Sequence, residues 1–171
     1  NKEKNIIASH RLFNPKIKAN EENIDEAVKL IANAKKPIFY IGGGCINSGP
    51  RSTELVTKFI EEIQAPATMT LMGLGVLASS NKYSLGMLGM HGMYEANMAM
   101  HDCDVMINIG ARFDDRVTGR LDAFSPNSKK IHIDIDASNV NKTIKIDVPI
   151  IGDIESVMNQ IFNAWKKNNY S

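Results

Sequence analysis

Cysteine is scarce in this chain, and the two present, Cys45 and Cys103, lie far apart with no C-x-x-C pair. That spacing excludes a disulfide framework and a thiolate zinc site, and leaves two free thiols, buried or half-buried, in a reducing compartment. The four histidines, His10, His91, His101 and His132, are too dispersed for a metal motif. No apolar run approaches the ~18 residues that a membrane-spanning helix needs. Neither sign of charge dominates, the formal net charge being +1, which argues against nucleic acid or a membrane surface as the main partner. An initiator Met, an apolar leader, internal repeats and low-complexity segments are also missing. The chain is therefore expected to be a piece of a longer protein, with residues 1–19 as a linker or arm and 20–171 as one domain.

What is present is an alternation of helical and extended patterns. Helical spacing begins near Glu21, with Ile24, Ala27, Val28, Ile31 and Ala32 on one face, and stops before Lys35-Lys36-Pro37. Pro37–Ile41 reads as a strand and runs straight into Gly42-Gly43-Gly44. An amphipathic helix is predicted over 51–64, with Leu55, Phe59, Ile60 and Ile63 inward. A short strand comes next over 65–70, then a loop with Gly73 and Gly75, a helix over 94–101 and an apolar strand over 105–109. A strand over 130–136, a short one over 149–152 and a closing helix over 154–165 complete the pattern. Strands apolar on both faces and separated by helices imply an α/β fold with a parallel sheet covered on each side.

Chemistry-bearing residues gather where these strands end. In such sheets ligands bind beyond the carboxyl ends of the strands, so these segments can share one rim long enough for a dinucleotide. The glycines at 42–44 remove side chains where a phosphate or ribityl chain could lie against backbone. Their spacing misses G-x-G-x-x-G, because position 47 is Asn47. Arg112 is a permanent cation whose planar fork suits phosphate oxygens. Asp134 closes a strand where a carboxylate can accept ribose hydroxyls, and Asp153, directly after Gly152, is placed to do the same for an adenosine portion. Asp115 and Arg116 can equally form a surface pair contributing ~0–1 kcal/mol. His132, between two isoleucines, reads as a strand side chain. Met69, Met72, Met87, Met93, Met98 and Met100 read as flexible core filler, whereas Met90 sits between Gly89 and His91, where regular packing is broken.

The runs Gly89-Met-His-Gly-Met-Tyr-Glu-Ala-Asn-Met-Ala-Met100 and Gly110-Ala-Arg-Phe-Asp-Asp-Arg-Val-Thr-Gly119 resemble the acetolactate synthase (acetohydroxyacid synthase) catalytic large subunit. The likeness covers the central domain of that thiamin-diphosphate enzyme, from about Asn20 onward. Lys130-Ile-His-Ile-Asp-Ile-Asp136 and Pro149-Ile-Ile-Gly-Asp153 continue it in order. The resemblance implies a three-layer, doubly wound, mainly parallel Rossmann-like domain of the NAD/FAD-binding kind. It implies a full enzyme that decarboxylates pyruvate on thiamin diphosphate with Mg²⁺ and joins the two-carbon unit to pyruvate or 2-oxobutyrate, in branched-chain amino-acid biosynthesis. FAD would lie against this domain without net redox change. The run Arg112 to Arg116 separates this branch from the FAD-free catabolic enzymes.

Carried over position by position, the implied FAD contacts are Gly42, Gly43, Gly44, Asn47, Thr70, Leu71, Met72, Leu88, Gly89, Met90, His91, Gly110, Ala111, Arg112, Asp114, Val117, Asp134, Ile135, Asn139, Gly152 and Asp153. Met90, Asp115 and Arg116 would line the substrate channel. The family's catalytic Glu and its Gly-Asp-Gly metal motif belong to other domains, so this chain alone is expected to be inactive. The family further implies a homo-oligomer, a regulatory small subunit, and a cytoplasmic or plastid setting. Two alternatives stand beside it: another thiamin-diphosphate enzyme, such as a glyoxylate carboligase or pyruvate oxidase, and a non-catalytic nucleotide-binding or assembly module.

Overall fold

Helix α1, Glu21–Asn33, starts because the Asn20 side chain accepts the Glu22 N–H at 2.8 Å and two acids in its first turn complement the helix dipole. Its buried stripe, Ile24, Ala27, Val28 and Ile31, has the predicted spacing. A computed structural model describes residues 17–113 and 124–170. After α1 come β1 (Pro37–Ile41), the short helix α2 (Gly43–Asn47), α3 (Pro50–Ile63), β2 (Ala67–Met69) and β3 (Ser84–Met87). Next are α4 (Tyr94–Asp102), β4 (Val105–Ile109), β5 (Lys129–Asp134), β6 (Val148–Ile151) and α5 (Ile154–Lys167).

The six strands form a single parallel sheet in the order β3-β2-β1-β4-β5-β6. The chain grows outward from β1 to β3, crosses back through α4, and grows the other way from β4. Neighbours β1 and β4 therefore send their exits in opposite directions, which opens a crevice at their carboxyl ends. Strand alternation feeds two cores. Phe39, Ile41, Ile107, Ile109, Ile131 and Ile133 pack under α1, α3 and α5. Ile38, Tyr40 and Met106 face the other way, toward Ala96 and Met100 of α4, and toward Leu88 and Phe113. This is the three-layer α/β architecture expected from the sequence.

Three local outcomes differ from the sequence reading. Strand β3 lies outside the predicted strands, because Gly86 interrupts it at φ +73° and its residues are only half-buried. The fifth strand stops at Asp134 rather than Asp136, because the Asp134 carboxylate accepts the Asp136 N–H at 2.9 Å and turns the chain into a 3-10 turn, Ala137–Asn139. The glycines after β1 lead directly into α2, Gly43–Asn47. Of the expected arm, Ile17 and Ala19 are docked: Ile17 N–H donates to Asp153 Oδ2 at 2.7 Å, and Ala19 exchanges two hydrogen bonds with the Gln160 amide.

Phe59 anchors the larger core, 1% exposed and edge-on to Phe39, Phe162 and Trp165 at centroid distances of 5.9, 5.3 and 5.7 Å. Phe59→Ala is expected to remove about 3–5 kcal/mol of stability, read as a lower urea midpoint at unchanged slope.

Candidate functional site

The carboxyl rim is built around a close approach of two backbones. A Cβ on Gly42 would collide with the Gly110 carbonyl and with Ala111, and one on Gly44 would sit 2.9 Å from Gly110 Cα. Gly42 N–H donates to Ile109 O at 2.9 Å and Gly44 N–H to Gly110 O at 3.0 Å, locking the exits of β1 and β4 together. On Gly43 the neighbour would be Met72 Cβ at 2.9 Å. The space left by these missing side chains is thus filled by the chain itself. Gly110 also needs the left-handed conformation, at φ +62°.

Beyond this contact lies a cleft of about 200 Å³ lined by Gly44, Ser48, Gly110, Arg112, Asp134, Ile135, Asn139 and Ile154. Four segments far apart in sequence meet here. Arg112 is exposed, between buried Ala111 and Phe113. Asp134 is 8% exposed, with Asp136 N–H on Oδ1 and Asn139 Nδ2 on Oδ2 at 3.2 Å. Burial pushes the Asp134 carboxyl up, but His132 Nε2 at 3.5 Å, the Asp136 N–H and Asn139 outweigh it and hold the carboxyl below its ordinary value. A carboxylate kept ionised with free lone pairs can accept hydroxyl donors. His132 is a fully buried strand side chain, edge-on to Phe113 at 5.4 Å.

Toward β2 and β3 the rim turns apolar. Leu71, Met72, Met90, Met93 and Tyr94 are 69, 73, 76, 55 and 73% exposed. The expectation that the methionines fill the core fails for Met72, Met93 and Met98 and holds for Met69 and Met100. The difference is position: the exposed ones lie on the 3-10 turn Leu71–Gly73, on the loop before α4, or on the outer face of α4. Thr70, whose hydroxyl accepts the Gly73 N–H at 3.1 Å, and buried Leu88 and Gly89 hold the starts of these loops. His91 and Asn47 are exposed.

Asp153 is 4% exposed and its carboxylate is already engaged, with Ser156 N–H on Oδ1 at 3.0 Å and Ile17 N–H on Oδ2. It caps α5. A Cβ on Gly152 would meet Ile17 O at 2.7 Å, so this glycine serves the docked strap. Asp114, Asp115, Arg116 and Val117 lie outside the described residues. Ser48 and Ile154 of the cleft were missed by sequence reasoning and carry no local signal. Asn108 did carry one: it is an amide inside the apolar strand Val105–Ile109, and a buried polar group requires partners.

Residues 24–161 match the family described as thiamine pyrophosphate enzyme, central domain. The chain belongs to that family. It is 45% identical over 157 residues to the acetolactate synthase large subunit of Buchnera aphidicola subsp. Schizaphis graminum, covering 92% of this chain and 27% of that protein. Against the acetolactate synthase large subunit of Haemophilus influenzae it is 43% identical over 150 residues, 88% of this chain and 26% of the relative. Against the acetolactate synthase isozyme 3 large subunit of Escherichia coli it is 42% identical over 153 residues, 90% and 26%. The chain thus spans about a quarter of the length of the curated relatives it matches. In this thiamine pyrophosphate enzyme central domain, the cleft sits at the switch point of the sheet.

Because Asp134 is held below its ordinary value of 3.8, its stabilising contribution is present above that value and is lost as pH falls through the folded value. The melting-temperature gap between the wild type and Asp134→Asn is expected to be steady above about pH 5 and to close below it. A gap that persists unchanged to about pH 2 would contradict an ionised Asp134.

Proposed function

We propose that this domain holds FAD along its carboxyl rim, as part of an acetolactate synthase large subunit that condenses pyruvate with a second pyruvate or with 2-oxobutyrate, releasing CO₂. One observation carries the reading: Arg112 and Asp134 line the same cleft at the switch point of a parallel sheet. The donor set fits a nucleotide. A guanidinium suits phosphate oxygens, an ionised carboxylate suits ribose hydroxyls, and the exposed methionines 72 and 90 offer apolar surface for a flat heteroaromatic ring. At about 200 Å³ the cleft takes one end of a dinucleotide, so the remainder would run along the open rim toward Met72 and Met90.

FAD in this reading lends an apolar, planar wall to the assembled enzyme, without net redox change. This chain's residues bind and orient it: Arg112 pairs with phosphate, while Asp134, steadied by Asn139, accepts ribose. Met90, with Asp115 and Arg116, would border the path of the 2-oxo acids. Thiamin diphosphate and Mg²⁺ would be held by other domains of the whole protein, as would any contact with a regulatory small subunit or a second copy. No group of three metal-ligating side chains occurs among the described residues.

A vestigial rim in an assembly module is the second reading. It is favoured by the glycines at 42–44, whose missing side chains make room for the chain's own backbone. Titration with FAD, followed by flavin fluorescence and thermal shift, separates the two. Saturation at 100 times Kd is expected to stabilise the fold by about 2.7 kcal/mol, and absence of binding favours the vestigial rim. Arg112→Ala should weaken FAD about tenfold or more by removing a charge-assisted contact, and Met90→Leu only about threefold or less. Equal effects would defeat the phosphate assignment. For the whole protein, products from pyruvate alone against pyruvate with 2-oxobutyrate test the carboligase reading.

A further inference from the structure

Asn97 and Asn108 use their side chains in the same way. The Asn97 amide accepts the Gly89 N–H at 2.8 Å and donates to the Gly89 carbonyl at 3.0 Å. The Asn108 amide accepts the Ala111 N–H at 3.0 Å and donates to the Ala111 carbonyl at 2.8 Å. Each side chain grips both polar groups of one loop residue, a task that needs a donor and an acceptor on one planar head. Gly89 and Ala111 are both buried, and both lie where the chain leaves the sheet, so neither residue's polar groups are met by a neighbouring strand.

Exposed rim side chains come directly after each clamped residue: Met90 and His91 after Gly89, and Arg112 after Ala111. The Arg112 carbonyl also accepts the Tyr40 hydroxyl at 3.1 Å. Tyr40 and Asn108 are in register on adjacent strands, both fully buried, on the face opposite the larger core. Arg112 thus projects from backbone fixed by buried polar groups one row below, and Met90 and His91 follow backbone held by half-buried Asn97 of α4. Binding to loops already held in place avoids the cost of ordering them.

We propose that Asn97 and Asn108 are positioning residues, which hold the two rim loops in their ligand-binding conformation before FAD arrives. The inference rests on the FAD reading above and adds to it the device that pre-organises the site. Neither amide touches the cofactor; each acts through the loop it grips.

The test compares Asn97→Ala, Asn108→Ala and Asn23→Ala with the wild-type chain. Asn23 makes a comparable side-chain bond, to Pro149 O at 2.7 Å on the edge strand β6, and so grips neither of the two rim loops. Affinity is read from flavin fluorescence, and loop order from hydrogen–deuterium exchange over 89–93 and 109–113. Asn97→Ala and Asn108→Ala are expected to weaken FAD by about tenfold, with exchange about tenfold faster in the gripped loop alone. Asn23→Ala is expected to lower the melting temperature yet leave FAD affinity within about twofold. FAD affinity within twofold of wild type in both clamp variants, or an equal loss in Asn23→Ala, would overturn the proposal. Should Asn108→Ala not fold, Tyr40→Phe removes the hydroxyl at Arg112 O and keeps the ring on Phe113. A loss of about threefold supports the proposal and no loss overturns it. A folded wild type that binds no FAD overturns the rim reading itself, and this inference with it.

Discussion

The rim depends on how closely the exits of β1 and β4 approach. Gly42 and Gly44 lie against Gly110 and Ala111 at distances no side chain could tolerate, and their N–H groups bond across to Ile109 O and Gly110 O. The contact occurs where the sheet changes its direction of growth, so it fixes the floor of the crevice from which Arg112 and Asp134 project. Glycine here serves backbone packing first. Whatever ligand the cleft takes meets a surface the chain has already made for itself.

Around that floor, polar groups are distributed by depth. Tyr40, Asn108 and His132 lie fully buried in register across three strands, and Tyr40 and Asn108 reach the loops above them. Asp134 stands at the boundary, ionised because hydrogen bonds outweigh its burial. Arg112, His91 and the exposed methionines form the outer layer. Such an order suits recognition of a molecule polar at one end and flat and apolar at the other. Asp153 differs from Asp134 in place: it caps α5 and ties down Ile17, whereas Asp134 lines the cleft.

Much of the fold was legible because its signals are local. The stripe in α1, the alternation-free strands β1 and β4, and the amphipathic α3 and α5 each announce themselves within a dozen residues. Gly86 hid β3 by breaking the pattern of a strand only four residues long. At the site, Arg112 and Asp134 were legible as charges at strand ends, and the cleft brings them together. The exposure of Met72 and Met93 was not legible, since a methionine's sequence context does not say whether its loop faces inward.

The sequence by itself determined which segments are helix and strand, which faces are apolar, and that glycine and charge accumulate after strands. These arise from periodicity and from the conformational limits of individual residues, which act over a few positions. Only the tertiary structure decided the strand order, the meeting of Gly42 with Gly110, the engagement of Asp153 with Ile17, and the grip of Asn97 and Asn108 on their loops. Those outcomes are hydrogen bonds and steric contacts that come into being only once the sheet has assembled, most of them between residues distant in sequence, and no local pattern specifies them.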